Sequence, residues 1–303
     1  MIRGVTNAST RMKATMQFRG SLYAFMSAVC GALLIALTAC GGGGGGGGAA
    51  LPTLPVMGAP PTTTPPAAGR TETASISSAK TGATYELQIY LPPSYSGSSA
   101  AFPVIYALDG DALYAPVSRF YNLKEILERR RVEAILIGIG GTIRRSTDYT
   151  IPGALPYHEF LKSELVPFIE SKYRSDPSKR ILTGLSLSGS MTGHALFLEG
   201  ASGTLTFSHF LSFEGSYGFQ KDDTNNLEQK MYDTQKGKAI NATLILARCG
   251  DPVGCNYVSV GEMYEKLLQR GYPGLTLMEK TYSTNHVGTD LPAFEDAISM
   301  IFK

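Results

Sequence analysis

The stretch Arg180-Ile-Leu-Thr-Gly-Leu-Ser-Leu-Ser-Gly189 decides the fold. Its first four residues read as a short strand, Gly184 to Gly189 as a tight turn, and the residues from about Ser188 to Leu198 as a helix. A serine on a sharp strand-to-helix turn is held away from the backbone in a strained conformation, so its neighbours must be small. The helix N-terminus beside it favours negative charge. The G-x-S-x-G pattern of such turns is met here by Gly184 and Ser186, with Ser188 in place of the last glycine.

Outward from this turn the chain alternates in period. Tyr85 to Leu91, Phe102 to Leu108, Val132 to Ile139, Phe207 to Phe213, Ala242 to Ala247 and Leu275 to Glu279 read as strands. Val117 to Arg131, His158 to Tyr173, Glu262 to Arg270 and Phe294 to Phe302 read as helices between them. Strands alternating with helices imply an α/β fold with a mainly parallel sheet and helices on both faces. Ligand sites in such a sheet lie beyond the carboxyl ends of the strands.

Two residues beyond predicted strands complete a catalytic constellation with Ser186. Asp251 follows Ala242 to Ala247, and His286 follows Leu275 to Glu279, in the order serine, acid, histidine expected for this sheet type. A serine hydroxyl needs an imidazole to take its proton during attack, and a carboxylate orients that imidazole. Glu262 competes with Asp251 for the acid's role, but it lies at a predicted helix start, where acids are favoured anyway. An oxyanion would be bound by the amide of Leu187 and by the loop after Leu108, where Gly110 and Asp111 supply amides. His158 and His194 lie in helices and His209 in a strand, positions that fit packing roles. Asp109 and Asp111 fit loop shaping. Arg144 and Arg145 fall on a predicted loop, where they either meet an anionic or phenolic substrate or pair with Asp148, the second reading being preferred.

Composition limits the alternatives. The 303 residues are 43% apolar and 17% charged, enough to bury one catalytic-size core. Arg3, Arg11, Lys13 and Arg19 are the basic residues before residue 40, in a stretch with no acid, leaving 23 of the 27 basic residues to set against 25 acidic ones. That balance argues against nucleic acid as a partner. Four cysteines without a CxxC and four histidines offer little for a metal site, and no motif implies a cofactor. Cys249 and Cys255 bracket Asp251 at a spacing that permits a small disulfide in an exported protein, the alternative being two buried thiols.

The leader supports export. Residues 1–20 are basic and polar, Leu22 to Ala39 run almost without polar side chains, and small residues close the stretch. Leu37-Thr-Ala-Cys40 resembles the lipobox of bacterial lipoproteins, which implies lipidation of Cys40 and cleavage before it. An uncleaved anchor is the alternative, and Met12 or Met16 would also serve as a start. Gly41 to Gly48 and the Pro/Thr/Ala-rich run after it read as a tether that reaches about 30 to 35 Å as a coil. The expected plan is a signal peptide over 1–39, a lipidated tether over 40–80 and one domain over 81–303, on the outer side of a bacterial inner membrane or in the outer membrane.

The body also resembles the putative esterase family of α/β-hydrolases, which includes esterase D, enterobactin-type siderophore esterases and feruloyl esterases. The matching stretches are Tyr85-Glu-Leu-Gln-Ile-Tyr-Leu-Pro-Pro-Ser-Tyr95, Phe102-Pro-Val-Ile-Tyr-Ala-Leu-Asp-Gly110, Arg145-Ser-Thr-Asp-Tyr-Thr-Ile-Pro152 and Phe160 through Gly189. The resemblance implies an α/β-hydrolase fold, Ser186 as nucleophile, His286 as base, and the loop after Leu108 as part of the oxyanion hole. Leu185 stands where the family often has histidine, and the sequence around Asp251 is not a close match. The expected function is hydrolysis of a small-molecule ester at a membrane surface. A noncatalytic binding protein on the same scaffold, or an acyltransferase, are the alternatives.

Overall fold

The computed structural model describes residues 68–114 and 116–303. The leader, Cys40 and residues 41–67 of the expected tether lie outside these residues. In chain order the strands are β1 (Arg70–Ser77), β2 (Thr84–Leu91), β3 (Phe102–Ala107), β4 (Leu113–Tyr114), β5 (Val117–Ser118), β6 (Ile135–Ile139), β7 (Ser175–Leu185), β8 (His209–Phe213), β9 (Ala242–Cys249) and β10 (Leu275–Tyr282). The helices are α1 (Arg119–Arg130), α2 (Arg145–Asp148), α3 (Ala154–Phe160), α4 (Val166–Lys172), α5 (Leu187–Ser202), α6 (Lys221–Gln235), α7 (Tyr257–Arg270) and α8 (Asp290–Ile301). A π-helical turn over Leu161–Leu165 joins α3 to α4.

Eight strands form one sheet in the order β1-β2-β6-β3-β7-β8-β9-β10. The pairs β1/β2 and β2/β6 are antiparallel, and every pair from β6 to β10 is parallel. This is the α/β-hydrolase fold. Alternation along β3 shows why both faces are covered. Val104 and Tyr106 enter a core with residues of α3 to α7, whereas Ile105 and Ala107 enter a second core with α1 and α8. β6, wedged between β2 and β3, is buried at all five positions, as its run of apolar residues requires.

Two elements differ from the sequence expectation. Residues 70–77, assigned to the tether, instead pair with β2 over the whole of β1, from Arg70 with Leu91 to Ser77 with Thr84. Residues 70–77 therefore belong to the folded domain and not to the tether. Their threonines and serines have a loop-like composition, but only Ala74 and Ile76 need to face the core of an edge strand. The helix α6 was also not expected. Its buried side chains are Thr224, Glu228, Met231 and Gln235, a mostly polar stripe that hydrophobic periodicity does not register. Glu228 is paired with Arg270 and Lys266, which makes its burial tolerable.

Candidate active site

Ser186 sits between β7 and α5 with φ 65° and ψ −122°, a left-handed conformation rare for a residue with a side chain. Such strain costs on the order of 1 to 3 kcal/mol and persists only where surroundings enforce it. Here they do. A Cβ at Gly184 would collide with the Ser188 carbonyl, and one at Gly189 with the Phe213 carbonyl, so both must be glycine. Ser188, which replaces the expected glycine, is fully buried. Its hydroxyl accepts the Leu185 amide at 2.9 Å and donates to the Leu185 carbonyl at 2.8 Å. The departure from G-x-S-x-G thus closes the turn with two side-chain hydrogen bonds.

His286 lies beyond β10, on the same edge of the sheet, with its side chain 30% exposed. Its Nδ1 meets Oε2 of Glu214 at 2.7 Å. Glu214 is the first residue after β8, fully buried, and also at positive φ, 48°. Its Oε1 accepts the Cys249 amide at 2.6 Å, and its Oε2 accepts the Asn256 amide at 3.0 Å. The buried Glu214 carboxylate thus has three hydrogen-bond partners, two backbone amides and the imidazole.

The carboxylate that meets His286 is therefore Glu214 and not Asp251, which the sequence reading chose. Asp251 lies on an exposed arch, where its Oδ1 accepts the Val253 amide at 2.9 Å. Hydrogen bonds from the Val253 and Gly254 backbone hold its carboxyl below the usual range, and it is a turn residue. Glu262 is exposed and paired with Lys221. The signal for Glu214 was present: it is the first residue past the predicted strand Phe207 to Phe213, between the serine and the histidine. The sequence reading passed it over in favour of the next strand.

The oxyanion loop also needs one correction. The Gly110 amide donates to the Ile139 carbonyl at 2.8 Å, so it is committed to β6 and not offered to a ligand. Gly110 is needed for close approach, because a Cβ there would meet the Gly138 backbone at 2.6 Å. Leu187, at the first position of α5, has no intrahelical acceptor for its amide. Among the described residues the Asp111 amide has no backbone acceptor either. The Asp111 carboxylate meanwhile accepts the amides of Gly141 and Thr142. Asp109, buried beneath this loop, has its carboxyl pushed up by burial, with the Arg145 guanidinium at 3.1 Å opposing that rise.

Arg145 also donates to the Leu185 carbonyl at 3.3 Å, while Arg144 pairs with Asp148, the partner that the sequence reading preferred for it. Both arginines are thus engaged within the protein. A further ion pair was not foreseen. Arg119, fully buried, makes a two-pronged contact with Asp290 at 2.7 and 2.8 Å and donates to the Leu108 carbonyl at 2.7 Å. Because Asp290 comes four residues after His286, this pair ties the histidine's loop to the end of β3.

The other three histidines are elsewhere. His158 bonds Glu199 at 3.0 Å, His194 bonds Thr224 at 2.9 Å, and His209 bonds Ser208 at 2.9 Å. Cys249 and Cys255 form the expected disulfide, with Cα atoms 6.1 Å apart. Their sulfurs cluster with the Glu214 carboxylate within 4.8 Å, but disulfide sulfurs are not thiolate ligands, so the donor set does not suit a metal.

Known proteins resemble this chain in sequence and in fold. Residues 78–197 match the model of the family described as Esterase, putative esterase. The chain is 30% identical over 169 residues to the uncharacterized protein YbbA of Bacillus subtilis, covering 48% of this chain and 62% of that one. It is 25% identical over 146 residues to the ferri-bacillibactin esterase BesA of the same organism, covering 39% and 50%. The matches thus span about half to three fifths of these relatives. An IroE-like serine hydrolase from Shewanella oneidensis superposes with a TM-score of 0.66 at 24% identity, covering 77% of this chain and 80% of its own, a likeness of fold.

Proposed function

We propose that this chain is a member of the putative esterase family of α/β-hydrolases and a serine carboxylester hydrolase with Ser186, His286 and Glu214 as its catalytic residues. The observation that carries the reading is the strained Ser186, at φ 65°, on the same sheet edge as a histidine whose Nδ1 is held by a buried carboxylate at 2.7 Å. In this mechanism the Ser186 Oγ attacks the ester carbonyl while His286 Nε2 takes its proton. The tetrahedral oxyanion is held by the amides of Leu187 and Asp111. Collapse expels the alcohol, protonated by His286, and leaves an acyl-serine that water hydrolyses by the same steps. Glu214 fixes the tautomer of His286 with hydrogen on Nδ1 and stabilises the imidazolium as it forms.

The test is intact-protein mass spectrometry before and after a fluorophosphonate probe. One adduct is expected on the wild-type chain and none on Ser186→Ala. A folded wild-type protein that takes no adduct would return the scaffold to the binding-protein reading. Esters of iron-binding siderophores belong first in a substrate screen, because BesA is by name a ferri-bacillibactin esterase. Added alcohols that become acylated would identify a transferase using the same serine.

Anchoring through a lipid on Cys40 is part of the proposal, supported by the basic, then apolar, then small-residue order ending at that cysteine. Labelled palmitate should enter the wild-type chain in a bacterial host and not Cys40→Ser.

A further inference from the structure

We infer that the Cys249–Cys255 disulfide is a positioning element of the active site, holding the Glu214 carboxylate, and through it His286, by fixing the two backbone amides that Glu214 accepts. This rests on the reading of Ser186, His286 and Glu214 as catalytic residues. The two amides belong to Cys249 itself and to Asn256, the residue after Cys255. The cross-link therefore joins the two donors at almost their own positions. Between them the chain has no apolar anchor. Residues 251–254 are all exposed, and Val253, the aliphatic side chain among them, points to solvent at 93% exposure. The arch itself makes no core contact, so the covalent bond adds the one direct tie between its ends to the packing of β9 and α7 on either side.

The arch also reaches the nucleophile. Asn256 Nδ2 donates to the Glu214 carbonyl at 2.7 Å and to Ser216 Oγ at 3.3 Å, and Ser216 Oγ is 3.4 Å from Ser186 Oγ. On the other side the Gly250 amide donates to the carbonyl of Tyr282, the last residue of the strand that leads to His286. The seven-residue ring and the asparagine that follows it thus touch the acid, the segment beside the serine, and the strand before the histidine. If the ring relaxes, Glu214 keeps its place in the chain but loses the fixed donors that aim its Oε2. A buried carboxylate short of donors turns toward whatever donor remains.

The experiment is a double-mutant cycle on hydrolysis of p-nitrophenyl acetate, using the wild-type chain, Cys249→Ser/Cys255→Ser, Glu214→Gln, and all three changes together. Because a misplacement of about 1 Å can cost on the order of 100-fold, the cysteine pair is expected to lower kcat by about tenfold or more with KM changed by less than about twofold. In the Glu214→Gln background the same pair should change kcat by less than about twofold, since no carboxylate is left to aim. An equal fractional loss in both backgrounds would mean a general structural role and overturn the inference. So would full activity of the cysteine pair beside an impaired Glu214→Gln. Full activity of Glu214→Gln would overturn the assignment of the acid, and the inference with it. If the cysteine variant does not fold, folded wild-type and Glu214→Gln proteins are treated with dithiothreitol. Reduction is verified by two additional iodoacetamide adducts per chain, and the same pattern of kcat is expected.

Discussion

Two histidine–glutamate pairs lie at opposite ends of β8, and they are built almost alike. His158 meets Glu199 at 3.0 Å, and Glu199 also accepts the amides of Thr206 and Phe207, just before the strand. His286 meets Glu214 at 2.7 Å, and Glu214 also accepts two amides, just after the strand. Both carboxylates are buried, and both take one imidazole and two backbone donors. What separates them is exposure and place. The His158 side chain is 5% exposed, against 30% for His286, and His286 shares its sheet edge with Ser186 and the oxyanion loop. A histidine–carboxylate pair is therefore a way to bury a charge at either end of a strand. The proposed mechanism gives the His286 pair, with its more exposed ring on the sheet edge that carries Ser186, a catalytic use that the buried His158 pair lacks.

The largest effect that would break this contrast concerns the histidines. His286→Ala should reduce ester turnover by on the order of 1,000-fold or more, because the serine loses its base. His158→Gln should keep kcat within about twofold and lower unfolding free energy by about 1 to 3 kcal/mol, since Glu199 is left short of a buried donor. Steady-state kinetics and urea denaturation of the two variants check both halves. A loss of turnover in His158→Gln at full folding would undo the distinction.

The acids come next. Glu214→Gln should lower kcat by on the order of 100-fold to 10,000-fold through loss of the imidazolium's partner, whereas Asp251→Asn should leave kcat unchanged. If the two outcomes are reversed in the same assay, the sequence reading of the acid was right and the geometry misleading.

A smaller effect sharpens the difference between buried and accessible imidazoles. Burial pushes His194 down to about 4, from an ordinary value of 6.5. The unfolded chain therefore binds a proton at higher pH than the native one. The stability that follows from keeping His194 neutral is fully present above pH 6.5 and is lost as pH falls toward 4, roughly 3 kcal/mol in all. Urea midpoints should fall over that window, and His194→Gln should flatten this part of the slope.

The smallest expected effect is at Ser188. Ser188→Gly restores the usual turn pattern but removes two buried hydrogen bonds, so it should cost about 1 to 2 kcal/mol in thermal unfolding and change kcat by only a few-fold.

The strained turn at Ser186 was legible in the sequence because its geometry is local. A strand, a tight turn and a helix follow within a few residues, and small side chains at Gly184, Ser188 and Gly189 are demanded by contacts within or next to that segment. His286 was legible for a weaker reason, its place after a strand late in the chain. Glu214 had the signal of its place just past a predicted strand, but Asp251 shared it, and nothing adjacent decides between them. The partners of Glu214 come from residues 249, 256 and 286, beyond the reach of any periodic pattern. β1 and α6 were hidden differently, since one is an edge strand rich in hydroxyl side chains and the other buries polar groups that find partners only across the fold.

By itself, then, the sequence determined the alternation of strands and helices, the strained serine turn and the spacing of a disulfide, all of which follow from short-range sterics and period. The tertiary structure alone decided which carboxylate meets the histidine, which amide of the loop after β3 has no backbone acceptor, and that residues 70–77 join the sheet. Those choices depend on which segments the sheet brings side by side, and strand order joins residues that are far apart along the chain.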